Sequence, residues 1–101
     1  MLKKKYFKTN DNCEVTFDYE TDSSKTVALV TEANGWEPVE MKKRRKDGVY
    51  FTKIRLPKEN RFQYRYLLDG QSWTNDPSAD AYIANEFGDQ NSVVVTTPSS
   101  N

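Results

Sequence analysis

The fold is decided by one stretch of the chain, Arg61-Phe62-Gln63-Tyr64-Arg65-Tyr66-Leu67-Leu68-Asp69-Gly70. Side chains along a β-strand alternate between the two faces of a sheet. One face of this stretch is apolar and aromatic and consists of Phe62, Tyr64, Tyr66 and Leu68. The other face consists of Arg61, Gln63, Arg65 and Leu67. The pattern predicts a strand that ends at an Asp-Gly turn, with Arg65 pointing away from an aromatic core toward ligand or solvent.

Turn residues separate further short apolar alternations along the chain. Over windows of about 11 residues, no segment keeps the apolar spacing of an amphipathic helix. Strands are therefore expected at residues 13–19, 26–31, 49–56, 61–68 and 92–96, with an edge strand at residues 5–8. The length of 101 residues allows one modest core, so an all-β single domain is predicted.

The connections are predicted from their turn residues. The stretch Pro57-Lys58-Glu59-Asn60 fits a hairpin loop between two neighbouring strands. Residues 78–91 carry little periodicity, and we expect an ordered surface loop there with one helical turn around residues 80–83. The expected organisation is an N-terminal segment with an edge strand (1–12), a folded β domain (13–96) and a flexible tail (97–101).

The charges of the chain balance, with 15 Lys and Arg against 15 Asp and Glu. No global field therefore attracts nucleic acid or an anionic membrane, and neither is expected as a partner. Residues 42–46 are five consecutive basic residues that could in principle contact phosphates. The favoured interpretation is a solvated hairpin whose lysines discourage edge pairing.

Histidine is absent from the chain. Its absence excludes Ser-His-Asp and Cys-His mechanisms and removes the commonest transition-metal ligand, so no metal or cofactor is expected. Two carboxylate pairs remain as candidates for acid–base catalysis: Glu37 with Glu40, and Asp76 with Asp80. Such pairs arise by chance in a chain that is 30% charged, and Asp76 before Pro77 is typical of a turn. We expect no enzyme.

The lone cysteine, Cys13, lies on the apolar face of the predicted strand 13–19 and is interpreted as a buried structural thiol. Polar residues 8–12 occupy the place where the apolar segment of a signal peptide would follow the initial lysines. No apolar run is long enough for a transmembrane helix. The expected compartment is the cytoplasm.

The two tryptophans, Trp36 and Trp73, each follow turn residues, where side chains tend to reach the surface. Tryptophans of small β domains often fill cores, but this placement favours exposed rings. A flat indole face suits the C–H face of a pyranose, whose hydroxyl rim must be hydrogen-bonded. Arg65 and Asn91 can each make two directed hydrogen bonds to neighbouring hydroxyls. These residues predict a sugar site.

Four motifs occur in a fixed order: Asn34-Gly35-Trp36, Tyr64 to Gly70, Trp73-Thr74-Asn75-Asp76-Pro77, and Phe87 to Val94. Together, over roughly residues 13–96, they resemble the family-48 carbohydrate-binding modules. These early-set domains, also known as isoamylase N-terminal domains, occur in glycogen-branching and debranching enzymes and in the beta subunit of AMP-activated protein kinase. The chain departs from the family pattern at Thr31 and Ala33, where Gly and a large aromatic are usual, and by one added residue before Trp73.

The resemblance implies an immunoglobulin-like β-sandwich of the early-set type that binds α-1,4-linked glucan, such as glycogen, starch or maltooligosaccharide. It implies that Trp36 and Trp73 stack on glucose rings and that Phe87 closes one side. Arg65 takes the place of a lysine that bonds sugar hydroxyls in the kinase-subunit type, and Asn91 matches a hydroxyl-bonding Asn. We add Gln63, and Lys53 in the strand thought to neighbour Arg65, as further hydrogen-bonding candidates.

One alternative is a protein-interaction or scaffold domain that docks on a glycogen-metabolism enzyme or another partner and carries a vestigial sugar site. Tyr82, Ile83 and Phe87 on the predicted late loop would then anchor the interface.

Overall fold

The computed structural model describes residues 2–98, so the last three residues of the predicted tail lie outside the described part. The strands in chain order are β1 (Lys3–Tyr6), β2 (Asn12–Tyr19), β3 (Val27–Thr31), β4 (Val39–Glu40), β5 (Lys42–Lys43), β6 (Tyr50–Pro57), β7 (Arg61–Leu68), β8 (Ser72–Thr74), β9 (Ala81–Ala84) and β10 (Gln90–Val95). A 3₁₀ turn, Glu32–Asn34, follows β3. Within residues 2–98 no helix has the length and apolar character needed to cross a membrane.

The strands form two antiparallel sheets that pack face to face. The first sheet has the order β1-β2-β6-β5. The second has the order β4-β3-β7-β10-β9, and β8 also pairs with β7. The predicted all-β sandwich of a single domain is confirmed.

The core between the sheets is aromatic, as the alternation in the sequence predicted. Its apolar side chains with the least exposure include Cys13, Val15, Phe17, Val27, Leu29, Tyr64, Tyr66 and Val94. Phe17 of the first sheet meets Tyr64 of the second edge to face, with 5.0 Å between ring centroids. Tyr64 and Tyr66 meet in the same manner at 5.8 Å. These contacts fix the inner face of β7 and leave Arg65 on its outer face.

Asp76 is a buried hydrogen-bond centre beside this core. Its Oδ2 accepts from the hydroxyls of Tyr64, at 2.7 Å, and Tyr66, at 3.3 Å. Its Oδ1 accepts the backbone N–H of Ser78 at 2.8 Å, which is the turn role that the sequence predicted. Burial, and next the hydrogen bond to Asp76, raises the pKa of the Tyr64 hydroxyl far above its usual range.

The predicted hairpin at residues 57–60 is wrong. β6 pairs with β2 and β5, whereas β7 pairs with β3, β8 and β10 in the other sheet. The connection crosses between the sheets, and its backbone is held by Asp11, which accepts from Lys58 N–H at 2.7 Å, and by Thr96, which accepts from Glu59 N–H at 3.2 Å. Both strands bury one face in the same core, so they lie in opposite sheets and do not pair with each other.

Three other local predictions have different outcomes. The helical turn expected around residues 80–83 is wrong, because Ala81–Ala84 is a strand paired with β10. The edge strand expected at residues 5–8 lies earlier, at Lys3–Tyr6. The basic run 42–46 does form an exposed hairpin, with β5 paired to β6 and Arg44 bonded to Asp47 at 2.9 Å.

Candidate functional site

A cleft opens on the outer face of the second sheet, where β7 changes its neighbour. Along one edge β7 pairs with β3. Along the other edge its residues 61–64 pair with β10 and its residues 66–68 pair with β8. Arg65 lies at the change. The cleft measures about 770 Å³, and its lining residues are Trp36, Gln63, Arg65, Trp73, Ala84, Asn85, Glu86, Phe87, Asp89 and Asn91.

Both tryptophans present part of their ring to solvent in this cleft. Trp73 lies in β8 opposite Leu67, so it shares the outer face with Arg65, and it is 51% exposed. Trp36 follows the 3₁₀ turn and is 43% exposed. Its backbone has a φ of 66°, and its N–H donates to Thr31 O at 2.9 Å. The prediction that both indoles reach the surface is confirmed, although Trp73 lies within a strand.

Arg65 is paired within the cleft. Its Nη2 donates to Asp89 Oδ2 at 3.1 Å, and the Arg65 side chain is largely covered. The Nε atom of Arg65 is buried and has no hydrogen-bond partner among the described residues. The ion pair and the burial of Nε therefore hold the guanidinium in a fixed place in the cleft.

Three amide side chains form a relay along one wall of the cleft. Asn85 Nδ2 donates to Asn91 Oδ1 at 3.2 Å, and Asn91 Nδ2 donates to Gln63 Oε1 at 2.9 Å. The donor-to-acceptor direction of the relay is fixed at Asn85. Because Asn85 Oδ1 accepts two backbone N–H groups, Asn85 Nδ2 must be the atom that donates to Asn91. The relay joins β7, β10 and the loop before β10, and its last amide group, Gln63 Nε2, is a donor.

Asn85 also shapes the loop that carries Phe87. Its Oδ1 accepts from Phe87 N at 3.0 Å and from Asp89 N at 3.1 Å, and its own N–H donates to Asp89 O at 2.9 Å. Gly88 supplies the positive φ of 80°. Phe87, in the loop between β9 and β10, is 86% exposed and lines the cleft. Asn85 was not among the residues predicted for the site, although an Asn three residues before a Gly is a recognisable turn signal.

Six of the seven side chains predicted for the sugar site line this single cleft, namely Trp36, Gln63, Arg65, Trp73, Phe87 and Asn91. Lys53 does not. The prediction that it lies in the strand next to Arg65 is wrong, because β6 belongs to the first sheet and Lys53 faces Thr16 of β2. The mistaken hairpin was the reason for that placement.

The carboxylates considered for catalysis lie elsewhere or are already bonded. Asp76 is buried against Tyr64, and Asp80 binds Lys4 Nζ at 2.6 Å and accepts Val95 N–H at 2.8 Å. Among residues 2–98 no cluster of three or more His, Cys, Asp or Glu side chains could hold a metal ion. The chemistry of the cleft is that of aromatic faces, amides and one ion pair.

Comparisons with known proteins show the fold. No protein-family model matches the chain, and no curated protein matches it. Its structure is similar to that of the enterobactin esterase from Shigella flexneri, with a TM-score of 0.73 at 13% sequence identity. The similarity covers 97% of this chain and 33% of the esterase, so the chain corresponds to about a third of that enzyme's length. At this identity the likeness concerns the β-sandwich and not the esterase activity.

Proposed function

We propose that this protein is a non-catalytic module that binds α-1,4-linked glucan. The observation that carries the proposal is the convergence of two half-exposed indole rings with Arg65, Gln63 and Asn91 in one cleft. The indoles offer apolar faces to the C–H faces of glucose rings, at little cost in conformational entropy. The guanidinium and the amides then replace the water that the sugar hydroxyls lose.

The resemblance to family-48 carbohydrate-binding modules supports this proposal through residues that are distant in the sequence. Trp36 and Trp73 take the stacking positions, Arg65 and Asn91 take the hydroxyl-bonding positions, and Phe87 takes the loop position. All five line the same cleft. Gln63, bonded to Asn91, joins them as a sixth ligand-binding side chain.

Affinity is expected to be modest. An open cleft covers only part of a sugar, and each hydroxyl exchanges a good hydrogen bond to water for one to protein. A dissociation constant between about 1 µM and 1 mM is therefore expected for a maltooligosaccharide.

The test is isothermal titration calorimetry with maltoheptaose. The wild-type protein should bind saturably, and Trp73→Ala should lose at least about five-fold in affinity, since a stacking ring contributes roughly 1–3 kcal/mol. Lys53→Ala is the matched control, because Lys53 is exposed on the opposite sheet and should leave binding unchanged. Circular dichroism checks that each variant is folded.

Absence of heat with millimolar maltoheptaose, from a folded wild-type protein, would contradict the proposal. Equal affinities of the wild type and Trp73→Ala would remove this cleft as the site.

A second candidate function is an accessory domain that docks on a glycogen-metabolism enzyme. Tyr82 and Ile83 are exposed on β9, which ends the path of the second sheet, and Phe87 is exposed beside them. The similar fold in the esterase is part of a longer chain. The discriminating test is binding to a purified glycogen-branching enzyme in the presence of saturating maltoheptaose. Docking through β9 should survive the sugar and be lost in Ile83→Asp, whereas binding through the cleft should be lost with the sugar and kept in Ile83→Asp, because Ile83 does not line the cleft.

The proposal places the module in the cytoplasm, in keeping with its free thiol at Cys13, and gives it neither nucleic acid nor membrane as a partner. Cell fractionation of the tagged protein tests the location.

A further inference from the structure

We infer that Asp89 makes the cleft selective for uncharged glycans and excludes phosphorylated or carboxylated ones. The inference rests on the proposed function and names its ligand class. Asp89 is not one of the seven residues predicted for the sugar site.

The charges around the cleft oppose anionic ligands. Among the described residues that line it, Arg65 is the one cation, and two carboxylates, Asp89 and Glu86, line the same cleft. The Arg65 charge is already neutralised by Asp89, since Nη2 and Oδ2 are 3.1 Å apart. A phosphate or carboxylate that approaches Arg65 must therefore displace Asp89 or lie beside it. Either arrangement brings two like charges close together.

Asp89 is also held in place on the cleft wall. Its Oδ1 accepts Gln90 N–H at 2.8 Å, and its Oδ2 accepts from Arg65. The side chain is nevertheless 59% exposed, so lone pairs of both oxygens remain accessible. A sugar hydroxyl can donate to them, whereas an anionic substituent has no proton to donate. The same carboxylate thus favours a neutral sugar and disfavours an anionic one.

The experiment compares two ligands that share one ring of glucoses, β-cyclodextrin and carboxymethyl-β-cyclodextrin, at pH 7 and low salt. Calorimetry gives the ratio of their dissociation constants for the wild type and for Asp89→Asn. The substitution keeps the Oδ1 acceptor for Gln90 N–H and removes the charge. A unit charge at about 4 Å in a water-like medium changes affinity on the order of five-fold.

The control variant is Asp11→Asn. Asp11 is exposed in the turn before β2 and lines no part of the cleft. The Asp11→Asn substitution changes the net charge of the protein as much as Asp89→Asn does. It therefore separates a local effect of Asp89 in the cleft from an effect of net charge.

The wild type should bind the neutral ring several-fold more tightly than the carboxymethylated ring. The dissociation constant of the carboxymethylated ring divided by that of the neutral ring should fall by about five-fold in Asp89→Asn and stay constant in Asp11→Asn. In the wild type this ratio should also fall at about 0.5 M salt, where the screening length is only a few ångströms. If neutral β-cyclodextrin binds and the ratio is the same in Asp89→Asn, the inference is overturned while the glucan proposal stands. If a folded wild type binds neither ring, both are overturned.

Discussion

At the residue scale, the orientation of one amide sets the polarity of the whole wall of the cleft. Asn85 Oδ1 accepts from Phe87 N and Asp89 N, which leaves Nδ2 to donate to Asn91. Asn91 must then donate to Gln63 in turn. The donors and acceptors that a sugar meets are fixed before it arrives, so no rotamer search is needed on binding.

Asn85→Asp tests this relay. The substitution keeps an acceptor for the two backbone N–H groups of the loop but places a carboxylate oxygen against Asn91 Oδ1. The Asn91 amide should then rotate, and Gln63 must rotate in turn to keep their bond, so the relay reverses and Gln63 offers the sugar an acceptor in place of its donor. We expect maltoheptaose affinity to fall by about ten-fold, equivalent to one or two neutral hydrogen bonds, while thermal stability changes little.

The matched control for this variant is Asn10→Asp. Asn10 Oδ1 accepts Asn12 N–H at 2.9 Å, two residues on, as Asn85 accepts Phe87 N–H, but it lies in the turn before β2. Its sugar affinity should equal that of the wild type. A loss of stability in Asn85→Asp, with unchanged affinity, would reduce Asn85 to a structural turn residue.

At the scale of the elements, the sequence predicted which side chains of a strand are buried but not which strands pair with each other. The alternation along β7 predicted correctly that Tyr64 and Tyr66 are buried and that Arg65 faces outward, because the period of a strand is a property of its own residues. The partner of β6 depends on residues far away in the chain, and a four-residue connection fits either a hairpin or a crossing between sheets. Lys53 was misplaced for that reason alone.

On the side of the cleft formed by the loop before β10, some residues were likewise predicted from the sequence and others were not. Phe87 and Asn91 were predicted from their motif, whereas the strand β9 and the role of Asn85 were missed. β9 has only four residues, and it forms because β10 offers an edge for pairing. Such short strands are induced by tertiary context more than by their own pattern.

β2 gives a prediction about the first sheet. Cys13 is fully buried between the strands that flank β2, opposite Tyr6 on one side and Leu56 on the other. Burial raises the pKa of its thiol, although Lys4 acts in the opposite direction. A raised pKa means less thiolate in the native protein at any pH below it.

A disulfide reagent such as dithiobisnitrobenzoate should therefore react with native Cys13 at least about 100-fold more slowly than with the protein in urea, since access requires opening of the sheet. Truncation of the ring in Tyr6→Ala should speed the native reaction. Equal rates with and without urea would contradict the buried position of the thiol.

At the scale of the whole molecule, the two sheets are joined by polar contacts as well as by the aromatic core. Tyr66 OH donates to Asp18 O of the first sheet at 3.2 Å and also contacts Asp76 Oδ2. Asp76 N–H donates to Ser92 Oγ of β10 at 2.9 Å. Through its carboxylate and its backbone N–H, the buried Asp76 therefore connects β7, β10 and the segment after β8, and we expect the sandwich to unfold as one unit.

Asp76→Ala should lower the free energy of unfolding by about 3 kcal/mol, because it leaves the buried hydroxyl of Tyr64 without its acceptor and leaves that of Tyr66 with Asp18 O alone. Urea denaturation followed by far-ultraviolet circular dichroism measures the loss. Tyr66→Phe should cost less, about 1 kcal/mol, and the exposed Asp11→Ala should cost almost nothing. A loss no greater for Asp76→Ala than for Asp11→Ala would show that the buried network contributes nothing to stability.

The placement of the aromatic residues separates two optical signals in one unlabelled chain. The sequence has two tryptophans, and both line the cleft, whereas the core rings are phenylalanine and tyrosine. Indole emission on excitation at long wavelength therefore arises from the cleft alone and reports occupancy and local polarity. Near-ultraviolet dichroism of the buried tyrosines reports the packing of the sandwich. An unoccupied cleft on a folded sandwich can thus be distinguished from an unfolded sandwich in one sample.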